Sequence, residues 1–271
     1  MLSKILVHAH VFYPEIWPEL EACIENYRRV CGNENVDVVV TYPESRPEMP
    51  KLCELRNVKH VTVANRGYDI GPFIHVLHNS DLDRYDYIVK LHTKRDVKEG
   101  WVNFRRYSGN TWRKALLSFC ASEKSVRNSM CAFARQRTLG MIADKRMIDP
   151  SGIGSCHHSL FSDKGVRELG LIPKGRTIVW GTMFIARARL LKPFLKWRLE
   201  DFPPPSILDP HRIEGLASRA EGAFGMVINA QGYRVSDGRA PAWMSVIWAD
   251  WMKCVYTIMR YTSDLLRGNK N

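Results

Sequence analysis

The segment YDYIVKLH, beginning at Tyr85, is apolar at nearly every position. A strand with that pattern is buried on both faces, and only a sheet covered by helices on each side provides such an environment. The segments around it agree. KILVHAH from Lys4, VDVVVTY from Val36 and NVKHVTVAN from Asn57 are further short strands. Between the first two, Ile16, Leu20, Cys23, Ile24 and Tyr27 recur at helical spacing behind prolines and acids that mark a helix start. Gly71 to His78 reads as a short helix. This β-α-β-β order predicts an α/β sandwich with a mainly parallel central sheet.

In the second half, TWRKALLSF and Glu123 to Arg137 read as helices and LGMIA as a short strand, followed by a loop carrying Pro150, Gly152, Gly154, His157 and His158. The segment from Thr177 to Trp197 reads as a strand passing straight into a helix. After the FPPPS turn come a helical stretch from Arg212 to Phe224 and a last strand around Val227. With no internal repeat, 1–238 is expected to be one domain and 239–271 a C-terminal amphipathic helical appendage.

Charge narrows the partners. The net charge is +12, which calls for an anionic partner. Residues 1–89 carry nine basic and thirteen acidic side chains, whereas 90–199 carry 23 and 7, so the excess is central and begins at the end of the Tyr85 strand. Seven scattered cysteines with no CxxC pair fit a reducing cytoplasm and predict no zinc knuckle or disulfide framework. The first apolar run is too short for a signal peptide and nothing directs export. The segment Ala240 to Met259, with Trp243, Trp248 and Trp251, is interrupted by Asp250 and Lys253; it reads as a core helix or as a helix lying in a membrane interface, not as a span.

Two loops hold candidate chemistry. ANRGYDIGPF from Ala64 places Asn65, Gly67, Asp69 and Gly71 between a strand and a helix start. The glycines permit close backbone approach, and Asp69 can accept hydrogen bonds from a sugar or ribose hydroxyl. The Tyr85 strand ends in His92, Thr93, Lys94, Arg95 and Asp96, at the carboxyl edge where α/β sheets place ligands. Two or three cations there suit a diphosphate.

Five motifs in order, HVFYPEIWPEL from His10, NRGYDIGPF from Asn65, YDYIVKLHTKRD from Tyr85 with Trp101 beyond, LGMIAD from Leu139 and WGTMFIARARLL from Trp180, resemble the rhamnan synthesis protein F family of bacterial glycosyltransferases. The resemblance covers about residues 4 to 235. It implies a GT-A-like, Rossmann-type sandwich and a cytoplasmic enzyme that builds cell-wall or O-antigen polysaccharide; the Trp-rich segment after Ala240 adds the expectation of a peripheral contact with the inner face of the cell membrane. The donor it implies is a nucleotide sugar of dTDP-rhamnose type, and the acceptor a saccharide or lipid-linked glycan; nucleic acid is not an expected partner. On the same resemblance the donor is held by His10, Tyr13, Asn65, Gly67, Asp69, Gly71, His92 and Lys94, and the acceptor by Trp101, Trp180, Gly181 and Thr182. Where many GT-A enzymes carry a metal-binding Asp-x-Asp, this chain has His92-Thr93-Lys94. No metal ligand is therefore assigned, and Lys94 is expected to neutralise the leaving diphosphate. Glu221 to Gly225 resembles a family acidic motif, Glu-Arg-x-Phe-Gly, with Gly222 in place of the Arg. An inverting transfer needs one carboxylate as base, and Asp209, Glu214 and Glu221 compete, with Glu221 preferred.

Two other classes remain at this point. His8 and His10 have the spacing of a metal-dependent hydrolase, with His92 and His157 or His158 as further ligands. The central basic region, with Trp101, Phe104, Tyr107 and Trp112, is compatible with a nucleic-acid-binding module.

Overall fold

A computed structural model describes residues 3–102, 105–150, 156–204 and 215–238. The chain runs β1 (Ile5–His10), α1 (Trp17–Cys31), β2 (Val36–Pro43), α2 (Met49–Leu52), β3 (Val58–Val63), α3 (Ile70–His78) and β4 (Tyr87–His92). It continues through β5 (Val97–Val102), β6 (Arg105–Gly109), α4 (Thr111–Leu116), α5 (Glu123–Arg135), β7 (Leu139–Ile142), β8 (Ile148–Asp149) and α6 (Cys156–Glu168). Then come β9 (Ile178–Val179), β10 (Phe184–Arg187), α7 (Leu216–Ala230) and β11 (Arg234–Ser236).

Among the described residues, seven strands form the central sheet in the order β11-β7-β10-β4-β1-β2-β3. The strands β3, β2, β1 and β4 are parallel neighbours, and β11 is parallel to β7. Only β10 runs against both of its neighbours, β4 and β7. The carboxyl ends of the parallel strands and the amino end of β10 therefore share one edge. This is the expected α/β sandwich with a mainly parallel sheet.

Strand alternation sorts the core into two layers. Val7, Ala9, Val38, Val40, Val89, Leu91 and Ile185 face α1 and α5, where Leu20, Ile24, Tyr27, Val126 and Phe133 complete one apolar cluster. Four of the five residues that predicted α1, Leu20, Cys23, Ile24 and Tyr27, are buried on that side, and Ile16 is buried in the 3-10 turn just before the helix. Leu6, Val39, Ile88, Phe184, Ala186 and Met141 face the other way, toward Phe73 of α3 and Phe224 of α7.

Several sequence expectations need correction. The strand expected around Val227 is the interior of α7, and the last described strand is Arg234–Ser236. An apolar run such as FGMVIN does not by periodicity distinguish a strand from a buried helix. The loop expected around His157 and His158 contains α6, which packs along α7. The segment from Thr177 is not one continuous strand: β9 and β10 are separated by a turn at Gly181 and Thr182, and a 3-10 helix, Ala188–Lys196, follows with Pro193 inside it. The β5–β6 hairpin carries no sequence expectation at all. The appendage 239–271 lies outside the described residues.

The loop from Asn65 into α3 is fixed by close packing. A Cβ at Gly71 would stand 2.1 Å from the Arg66 carbonyl oxygen, and one at Gly67, whose φ is +64°, 2.6 Å from the Phe202 ring. Gly67 N–H donates to Pro203 O at 3.1 Å, and the Arg66 guanidinium donates to Phe202 O at 2.9 Å. Gly71→Ala is therefore expected to lower stability by about 1–3 kcal/mol. Gly165→Ala, inside α6 with its nearest neighbour atom at 3.4 Å, is expected to leave stability unchanged or raise it by up to about 1 kcal/mol. Urea titration of both variants checks this; equal losses would contradict the packing account.

Candidate active site

Register places a polar row in the layer that faces α3 and α7. His8 is level with Lys90, and His10 is level with both Thr41 and His92. Because successive side chains alternate, His8, His10, Thr41, Lys90 and His92 all lie on one face of the sheet. All are buried, and Lys90 has no exposure.

A buried ammonium is costly unless each of its donors is paired. Lys90 Nζ donates to Asp69 Oδ2, to Thr182 Oγ1 at 2.8 Å and to Thr182 O at 3.1 Å. Thr182 Oγ1 in turn donates to Asp69 Oδ2 at 2.7 Å. His92 Nδ1 lies 3.3 Å from the same oxygen. The rings of Phe73 and Phe224 flank the ammonium, with centroids at 5.6 and 5.8 Å, a favourable cation–π arrangement.

The backbone on either side of this knot is strained. Tyr68 has φ +56° and Thr182 φ +51°, and neither is a glycine. For a β-branched residue such as Thr182 this is a true outlier, costing of order 1–3 kcal/mol. Those conformations carry Asp69 and Thr182 to Lys90 from two separate loops.

Burial sets the protonation states. It pushes the His10 ring down to about 4 and His92 down to about 3, and lowers His8 well below its ordinary value. All three rings are therefore neutral near pH 7. Burial alone would raise the Asp69 carboxyl, but His92, Lys90 and the hydrogen bonds from Lys90 and Thr182 outweigh it and hold the group well below the usual carboxylate range. Burial likewise lowers Lys90, and Asp69 opposes that shift.

The edge above the row is braced by further contacts. Thr93 Oγ1 accepts from the Phe12 and Tyr13 N–H groups, both at 3.0 Å, tying the end of β4 to the chain leaving β1. Arg113 donates twice to Glu19 at 2.8 Å and once to Lys94 O at 2.9 Å. Lys94 Nζ stands 5.2 Å from the Trp112 ring centroid, with no carboxylate partner among the described residues. The Arg95 guanidinium lies over Tyr13, 4.3 Å from its centroid. At the end of β7, Asp144 accepts from Arg146 Nε at 2.7 Å and from Ser118 Oγ.

Of the residues singled out in the sequence, His10, Asp69 and His92 converge, with Lys94 and Tyr13 at the same edge. Asn65 is half-buried on the same loop as Asp69. Gly67 and Gly71 differ from their expected use: protein atoms occupy the space beside them, so packing, and at Gly67 the positive φ as well, requires glycine. The expected acceptor pair also needs correction. Gly181 faces Leu116, 2.5 Å from where a Cβ would sit, and Thr182 is 2% exposed and bound to Lys90 and Asp69. Neither presents an open backbone to a sugar. Trp180 packs against the α1-side core. Glu221 reaches this edge, where its Oε1 accepts from Gly181 N–H at 3.2 Å. Asp209, Glu214 and the Trp101 side chain lie outside the described residues, as do Phe104 and the side chains of His157 and His158.

Lys90 and Thr41 were not among the sequence candidates. The available signal was a lysine of the same parity as His92 inside an apolar strand. The hydrolase alternative loses its motif: His8 Nε2 and His10 Nδ1 both meet Thr41 Oγ1, at 2.7 and 3.0 Å. Among the described residues no three His, Cys, Asp or Glu side chains are grouped to hold a metal ion.

A family model described as rhamnan synthesis protein F matches residues 1–215. The chain belongs to this family. Two proteins from strains of Xanthomonas campestris pv. campestris, each described as uncharacterized protein WxcX, are 27% identical over 234 residues. The match covers 84% of this chain and 32% of theirs, so the chain spans about a third of the length of these curated relatives. Among solved structures, S. aureus TarS 1–349 aligns with a TM-score of 0.41 and 10% identity, over 81% of this chain and 54% of that one. No helix among the described residues is long and apolar enough to cross a membrane.

The depressed histidines have a measurable consequence. The unfolded chain takes up protons near pH 6.5, whereas folded His10 and His92 do so only near 4 and 3. Their contribution to stability is thus complete above pH 6.5 and falls as pH drops toward 4, by at most about 1.4 kcal/mol per pH unit for each ring. Thermal melts between pH 7.5 and 5 are expected to show Tm falling with acidification, and His92→Gln is expected to flatten that slope. An unchanged slope in the variant would contradict neutral burial.

Proposed function

We propose that this chain is a glycosyltransferase that moves a sugar from a nucleotide-diphosphate donor to a growing cell-surface polysaccharide or lipid-linked glycan. One observation carries the reading: in a member of the rhamnan synthesis protein F family, His10, Asp69, His92 and Lys94 gather at the carboxyl edge of parallel strands, where an α/β sheet takes its ligand.

In this reading the donor is rhamnose or another deoxyhexose on dTDP or a related nucleotide. Asn65, Asp69, Tyr13, His10 and His92 hold it. Lys94, a cation without a carboxylate partner among the described residues, receives the negative charge that develops on the diphosphate as the anomeric C–O bond breaks. The acceptor hydroxyl attacks from the opposite face, inverting the centre, while a carboxylate removes its proton. Glu221 is the preferred base: Oε1 is positioned by Gly181 N–H, and the other oxygen is left for the proton. Asp209 and Glu214 are the alternatives. Trp101 and Trp180 would flank the acceptor. The basic stretch from 90 to 199 and the tryptophans beyond 239 suit an anionic membrane face or a diphospholipid-linked acceptor, which supports the reading that the enzyme works at the cytoplasmic face of the membrane.

Thermal-shift titration with dTDP, UDP, GDP and CMP, with and without Mg²⁺ or Mn²⁺, tests the donor class. One nucleotide at about 100 times its Kd is expected to stabilise the fold by about 2.7 kcal/mol, and Lys94→Ala is expected to remove the diphosphate response. Glu221→Gln is expected to lower kcat by about 10²–10⁴-fold while donor binding persists. A fold that responds to none of the four nucleotides would overturn the proposal.

A further inference from the structure

The transfer step uses Asp69 but gives no part to Lys90, whose ammonium no ligand can reach. Every partner of the Asp69 carboxylate meets the same oxygen: Lys90 Nζ, Thr182 Oγ1 at 2.7 Å and His92 Nδ1 at 3.3 Å all approach Oδ2. Oδ1 has no partner among the described residues, and it is not one of the buried unpaired atoms. The side chain as a whole is 21% exposed while that of Lys90 is fully enclosed. Beside it, the Tyr68 side chain is 52% exposed at the carboxyl edge of the sheet.

We propose that Lys90 is the positioning residue of the donor pocket: by fixing Oδ2 of Asp69 together with both oxygens of Thr182, it turns Oδ1 outward as a charged acceptor for a pentose hydroxyl of the nucleotide. This rests on the glycosyltransferase reading. A carboxylate has acceptor capacity on both oxygens; committing one of them to an internal ammonium leaves the other with a single orientation. The adjacent exposed Tyr68 ring offers a stacking face for the base. The two positive-φ residues show why an ammonium is needed. Tyr68 and Thr182 bring their loops together from either side of β4, and Lys90 is the group that bonds to both. A glutamine would reach with fewer donors and no charge, and a methionine would leave the Asp69 charge buried without its main partner. His8, His10 and His92, the other ionisable groups on that face of β1 and β4, are held neutral by burial and do not replace the cation. Lys94 and Glu221, which also act on Lys90 electrostatically, sit beyond the knot.

Calorimetric titration with dTDP, UDP, GDP and CMP, each compared with its 3′-deoxy form, tests this on the full chain. Lys90→Met is expected to destabilise strongly, because it strands a buried charge. Lys90→Met combined with Asp69→Asn is expected to recover most of the lost Tm, since that charge is removed. The recovered double variant is nevertheless expected to bind the preferred nucleotide at least tenfold more weakly than the wild type, and to be indifferent to loss of the 3′-hydroxyl that costs the wild type about tenfold. If the double variant does not fold, Lys90→Gln supplies the same comparison. Wild-type affinity and wild-type 3′-hydroxyl sensitivity in either folded variant would overturn the positioning role while leaving the transferase reading intact. A wild type that binds none of the four nucleotides would overturn the transferase reading itself, and the positioning role with it.

Discussion

An ammonium with no exposure to water is tolerated only where its charge and all three of its donors are met. Lys90 meets that condition through Asp69 and Thr182, and much of the site's geometry follows from it. Asp69 arrives on the loop between β3 and α3, Thr182 on the turn between β9 and β10, and Lys90 from the middle of the central strand between them. Buried ion pairs seldom add net stability compared with well-packed apolar residues. What this one contributes is definition: two loops 113 residues apart in the chain are fixed against one point.

The sheet topology makes that meeting possible. The antiparallel β10 sits between β4 and β7, so its amino end, not its carboxyl end, reaches the ligand edge. A parallel strand at that place would carry the Thr182 turn to the opposite edge. The same insertion brings Gly181 N–H to Glu221 and so links α7 to the site. The positive-φ backbone at Tyr68 and Thr182 is sustained because the bonds around Lys90 and Asp69 over-determine it. The packed glycines at 67 and 71 hold the same loop from behind.

Much of the architecture was legible because it rests on local pattern. The apolar face of α1, the four parallel strands and the helix after Gly71 follow from period and punctuation, and each is present. The convergence of His10, Asp69 and His92 was also legible, since each ends or follows a strand of a parallel sheet. Other features were not. The β5–β6 hairpin lies in a stretch without clear alternation. α6 begins just after the Pro150 to Gly154 run that punctuated the chain as a loop. Val227 sits in an apolar run that suits helix and strand equally, and only its packing beside α6 decides for the helix. Gly67, Gly71 and Gly181 looked like openings for a ligand because a sequence shows the missing side chain but not the neighbour that fills its place.

The sequence by itself determined the family motifs, the layer order, and the set of polar residues at strand ends, because hydrophobic period and turn chemistry act over a few residues. Only the tertiary structure decided which of those residues work together. Lys90 within its own strand is a single charge in an apolar run, and its partners lie 21 and 92 positions away. Whether such a lysine is buried and paired or turned to solvent depends on strand register and on where two distant loops close. Those are properties of the whole sheet, which no local pattern encodes.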